Sequence, residues 1–137
     1  KVLLSSRDYP YVITDVIVAR TDNLRENPEK YRKFLRGIYR AIDFYNKNHK
    51  EAVRIIAPNF QLSEQELEET LPNLEYTSYE ESLELMGTDG KPGKLHGIFD
   101  NVMLMNIEAD AADGPPLQAD HEIDNSIITN LFDGHKR

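Results

Sequence analysis

Polar and apolar positions alternate along this chain in a way that forecasts helices far more often than strands. The strongest signal follows Asn27 and Pro28, where a capping residue precedes a proline at the first helical position, whose missing N–H costs nothing. Tyr31, Phe34, Leu35, Ile38, Tyr39, Ile42 and Tyr45 then recur at spacings of three and four. That is one apolar stripe along a helix of about 30 Å. Burying it is worth on the order of 10–20 kcal/mol gross, so it must face a partner surface, and its tyrosines read as packing groups. A shorter helix is expected over residues 49–57, stopping at Pro58. Ser63 with Glu66 forms a capping box opening a third helix that ends before Pro72, and Ser78 with Glu81 opens a fourth that ends near Gly87.

Two further helices complete the pattern. Residues 94–108 place Leu95, Ile98, Phe99, Val102, Met103 and Met105 on an amphipathic helix, and Asp124 can cap a last short one carrying Ile127, Ile128 and Leu131. Between them, residues 109–116 read as a linker. Strand-like patterning is confined to the start of the chain. Residues 1–6 and 12–20 read as strands separated by a turn, and the second, VITDVIVAR, is rich in β-branched residues. Two strands do not make a stable sheet alone, so the rest of any sheet must come from elsewhere.

Composition narrows the function classes. The 137 residues suit one domain, and 39% hydrophobic with 29% charged residues is a globular balance. No apolar run approaches the roughly 20 residues needed to span a bilayer. The chain opens on Lys1 without a signal peptide, as a mature or trimmed exported product also would. A net charge of −8 argues against nucleic acid, whose binding rests on cations neutralising phosphates. Lys30, Arg32, Lys33, Arg36 and Arg40 cluster locally and fit the solvated back of the long helix. There is no cysteine, which removes disulfides, thiolate metal sites and cysteine nucleophiles.

Candidate chemistry is sparse. None of His49, His96, His121 and His135 pairs with another at the spacing of a zinc helix, so no metal site is expected. The acidic stretch from Glu108 through Asp110, Asp113, Asp120, Glu122 and Asp124 breaks the alternation of a calcium loop and reads as a solvated linker. Gly87 and Gly93 are separated by five residues and Leu95 follows Lys94, which lacks both the glycine spacing and the hydroxyl of a phosphate-binding loop. Ser5, Ser6, Asp8 and Asp15 lack a nucleophile elbow and a nearby histidine. No cofactor and no catalytic residue are expected.

The order of elements resembles a known family. VITDVIVAR, then TDNLRENPEKYRKFLRGIYRAIDFYNKNHKEAVRIIA, then LSEQELEETL, is similar to the solute-binding proteins of the nitrate, sulfonate and taurine ABC importers, a group that also includes thiamine-precursor binding proteins. The segment from Ala19 to Glu29, the helix after SYEES, the glycine turn, LHGIFDNVMLMNIEA and the closing Ile123-Asp124 with Ser126-Ile127-Ile128 extend the resemblance over nearly the whole chain. It implies an α/β fold, part of a two-lobed, type II periplasmic-binding-protein-like architecture, of which this segment is the C-terminal portion. Residues 1–20 are then the hinge or crossing strands. Residues 21–137 are a helical layer completing one lobe, a single incomplete domain whose sheet begins in sequence not present here.

The implied function is non-catalytic capture of a small anionic or nitrogen- or sulfur-containing solute by lobe closure. Tyr9, Tyr11, Thr14 and Asp15 are the expected ligand-binding residues, although Thr14 and Asp15 serve equally well as polar groups at a strand end. The implied partners are the solute and the membrane subunits of an importer, with a homodimer if the chain is an orphaned half. The implied location is the periplasmic or extracellular face of the membrane, with a lipid anchor as one arrangement. Two alternatives stand beside it: a stand-alone helical protein-interaction domain, and a thiamine-pyrimidine-synthase-like enzyme of the same fold.

Overall fold

The computed structural model describes residue 3 and residues 13–88 and 90–132. Helices α1 (Thr21–Glu26), α2 (Pro28–Lys47), α3 (His49–Ile56), α4 (Glu64–Thr70), α5 (Tyr79–Met86), α6 (Lys94–Glu108) and α7 (Ala119–Glu122) follow one another in the chain. Each begins or ends where the chain chemistry dictates. Pro28 opens α2, whose 20 residues carry the expected stripe. Ser63 accepts the Glu66 backbone N–H at 3.2 Å while the Ser63 N–H donates to the Glu66 carboxylate at 2.8 Å, a closed capping box on α4. Ser78 and Glu81 repeat the same reciprocal pair on α5, at 3.2 and 2.8 Å.

Pro58 and Pro72 end their helices gently. After each, the chain tightens into a 3₁₀ turn, Ala57–Phe60 and Leu71–Asn73, that tolerates the proline in its first positions. Gln61 then takes a left-handed φ of +57°, and the Leu62 N–H closes on the Ala57 carbonyl at 3.1 Å. This reversal folds α4 back on α3. Val53, Ala57, Leu67 and Leu71 form the core between them, with Tyr45, Ile56 and Leu62 packed around it.

A second set of buried residues lies at the far end of the chain. Ala119, Ile127, Ile128 and Leu131 are buried, Leu131 completely. The expected last helix is replaced there by hydrogen-bonded turns over residues 126–132. The reason is local: Asp124 accepts the Ser126 N–H at 2.8 Å, two residues on, which makes a turn in place of a helix cap. Long-range bonds hold these turns. Arg36 donates to the Leu131 carbonyl at 2.9 Å and the Tyr79 hydroxyl donates to the Ile128 carbonyl at 3.1 Å. Tyr39, Tyr79 and Phe132 meet edge to face, with ring centroids 4.9 to 6.4 Å apart.

The α/β expectation is overturned. Among the described residues there is no strand and no sheet, and the secondary structure is helical throughout. Residues 13–20 fall within the expected second strand but run without strand structure, and Ile13 (77% exposed) and Val18 (85% exposed) face solvent. β-branched composition favours a pleated, half-buried surface, but it forms one only beside another strand, and no second strand lies against this run among the described residues. Of the other expected strand, residues 1–6, only Leu3 is among the described residues, and it is exposed.

Candidate ligand-binding surface

Two of the four expected ligand-binding residues are among the described residues. Tyr9 and Tyr11 lie outside the described residues. Thr14 is half-buried and Asp15 is exposed, adjacent on the segment that leads into α1. That segment ends in a firm junction. Arg20 donates to both carboxylate oxygens of Asp22, at 3.1 and 2.6 Å, and Asp22 also accepts the Asn23 N–H at 2.7 Å. The guanidinium first, and then the backbone N–H, hold the Asp22 carboxyl below the ordinary carboxylate range. Tyr31 then donates to the Asn23 side chain at 2.8 Å and fixes α1 against α2.

An open hollow of about 440 Å³ lies at the start of α3, lined by Lys47, Asn48, His49, Lys50, Glu51, Arg54 and Glu64. It does not include Thr14 or Asp15. Its cations are mostly matched already: Lys47 pairs with Asp43 at 2.8 Å, Arg54 with Glu51 at 2.6 Å, and His49 lies 3.0 Å from Glu68. An anion entering here would compete with carboxylates in a solvated setting, where each pair contributes little. Beside it, Tyr45 packs edge to face on His49 and Tyr76, at 4.9 and 5.3 Å. Burial, with the neighbouring Tyr76 and Glu68, pushes the Tyr45 phenol up from its ordinary value. The arrangement braces α3 against α4 and the segment after it.

No family model, no curated protein and no solved structure matches this chain. The reading of the surface therefore rests on its own geometry. Among the described residues no group of three or more His, Asp or Glu side chains is placed to hold a metal ion, and no helix is long and apolar enough to cross a membrane.

The glycine turn between α5 and α6 has a structural purpose. Gly87 adopts φ +78° and ψ 171°, a region essentially closed to other residues, and a Cβ there would strike the backbone of Lys91 and Gly93. A Cβ on Gly93 would strike Leu85 and Gly87 in turn. The two glycines let the backbone fold flat on itself. His96 then accepts the Gly93 N–H through Nδ1 at 3.2 Å, which caps α6 and leaves Nε2 facing Asp120 at 3.8 Å. Asp100 accepts the Ala119 N–H at 3.1 Å. His96 and Asp100, one turn apart, thus dock α7 on α6. Periodicity does not reveal this docking, although a histidine three residues after a glycine at a helix start is a legible capping pattern.

Proposed function

We propose that this chain is part of a solute-binding component of an ABC importer for a small anionic or nitrogen- or sulfur-containing solute such as nitrate, taurine or a sulfonate. What carries the reading is the order of helical elements. A long proline-opened helix, a short helix ending at a proline, two serine-capped helices, a glycine turn and an amphipathic helix stand in the sequence that the resemblance to that family requires. Their sides are consistent with a packing layer: no residue of α2, α5 or α6 is fully buried by the described residues. Such helices await a further surface.

In this reading the chain makes and breaks no bond. Solute is held by donors placed in advance and released when the binding cleft opens. Thr14 supplies a hydroxyl suited to an oxyanion, and Asp15 a carboxylate suited to an ammonium group such as that of taurine. Tyr9 and Tyr11 add phenolic donors nearby in sequence. The delivery partner is the importer's membrane assembly, and the setting is the outer face of the membrane.

The test is a thermal-shift screen of the protein against nitrate, taurine and short alkanesulfonates. A stabilising shift that grows with solute concentration is expected for at least one of them, because binding to the native state alone raises stability by mass action. A flat response to all of them contradicts the proposal. One observation favours a second reading, a helical protein-interaction domain: the described residues are all-helical with outward apolar faces. That reading expects the flat response.

A further inference from the structure

Two helix faces of this chain are left uncovered by the described residues and are opposite in charge. On α2, Phe34 and Phe44 are 54% and 41% exposed, and between them Gly37 and Ala41 leave a low floor. Nothing lies within 4 Å of where a Cβ on Gly37 would stand. Lys30, Lys33 and Arg40 border this face, and none of them reaches a carboxylate among the described residues. On α6, Val102, Leu104 and Met105 are exposed, Met105 by 66%, and Gly97 again has open space at its Cβ. This face ends in Glu108 and Asp110, which reach no cation among the described residues.

We infer that the outward face of α2 docks antiparallel on the outward face of α6 of a second copy of this chain. Charge and register point the same way. In an antiparallel crossing the lysines at the start of α2 meet the carboxylates at the end of α6, and the two helix dipoles oppose each other favourably. From Lys33 to Phe44 and from Gly97 to Glu108 the rise is about 16 Å on each helix, so both ends register at once. Phe44 then lies over Gly97, Leu104 lies over the Gly37 floor, and Lys33 faces Glu108. Large side chains over glycines let the helices approach closely. Away from this stripe both copies are acidic, since the chain carries a net charge of −8. The basic stripe therefore selects the orientation. This inference does not rest on solute binding.

Analytical ultracentrifugation of the protein over a concentration series tests it. The 15.8 kDa chain is expected to associate reversibly, as a pair closed by two such contacts or as a longer run of copies. Lys33→Glu weakens association at least tenfold, and Lys33→Glu combined with Glu108→Lys recovers most of it. Both sites are exposed, so circular dichroism of each variant is expected to match the parent. Monomeric protein at every soluble concentration overturns the inference and leaves these faces to a different partner. Association that ignores the charge reversal, or a swap that fails to recover it, overturns it too. The solute screen is independent: a monomer that responds to solute removes this contact alone.

Discussion

Replacing Leu67 by alanine probes the small core on which the helical layer depends. Leu67 is 4% exposed and packs with Val53, Ala57 and Leu71 where α4 folds back on α3. Leucine to alanine removes three carbons, worth about 2.4 kcal/mol at roughly 0.8 kcal/mol each. A cavity adds to this, because the capping box at Ser63 and the turn at Gln61 hold α4 in place and limit collapse. The expected cost is about 3 kcal/mol, within the range measured for buried leucines. Small domains hold only about 5–15 kcal/mol in total, so the loss is a large fraction. Urea unfolding followed by circular dichroism reads it as a lower midpoint with an unchanged slope. Leu117→Ala is the control, since that side chain is 52% exposed, and it should cost under about 1 kcal/mol. Equal costs for the two variants would refute the placement of the core.

Further predictions follow from single contacts. Gly87→Ala forces a Cβ into the backbone of residues 91–93 at a φ of +78°, and should cost about 3 kcal/mol or more in the same unfolding assay. Thr129→Val removes a buried hydroxyl that has no hydrogen-bond partner among the described residues, and is expected to be neutral or stabilising by about 1 kcal/mol. The Glu66 and Glu81 carboxyls are held below their ordinary value by the N–H and hydroxyl groups of Ser63 and Ser78. Their contribution is present above the unfolded carboxyl pKa, about 4.3, and is lost as pH falls through the folded values. Helical signal should therefore decline in acid, and less steeply in a Ser63→Ala, Ser78→Ala double variant. The Tyr39 phenol is raised by burial and by Tyr79, against the lowering effect of Ser82. Its contribution is present below about 10 and lost as pH rises through the folded value, and Tyr39→Phe should flatten that alkaline limb.

Local chemistry was legible where one element sufficed to determine it. Ser63 with Glu66, Ser78 with Glu81, and Pro28 each mark a helix start using residues within four positions, and the structure begins helices at all three. The apolar stripe of α2 was legible too, but not how little of it the described chain covers. Phe34 belongs to that stripe by spacing and yet faces outward. The bonds from Arg36 to Leu131 and from Tyr79 to Ile128 span 95 and 49 positions and leave no local signature. The failed strand at residues 13–20 shows the same limit in reverse, because composition states what a segment suits and only a neighbouring strand makes a sheet. Thr14 and Asp15 were chosen as ligand-binding residues because the resemblance puts that segment at the crossing nearest the solute, an arrangement that involves residues far apart in the chain and leaves no local signature.

Isothermal titration of taurine into the parent protein and into Asp15→Ala tests the solute-binding proposal most directly. The proposal expects saturable one-site binding to the parent, at least tenfold weaker in the variant, where the ammonium group loses its carboxylate. No saturable heat with taurine, nor with nitrate or an alkanesulfonate titrated the same way, would contradict it and favour the helical interaction domain.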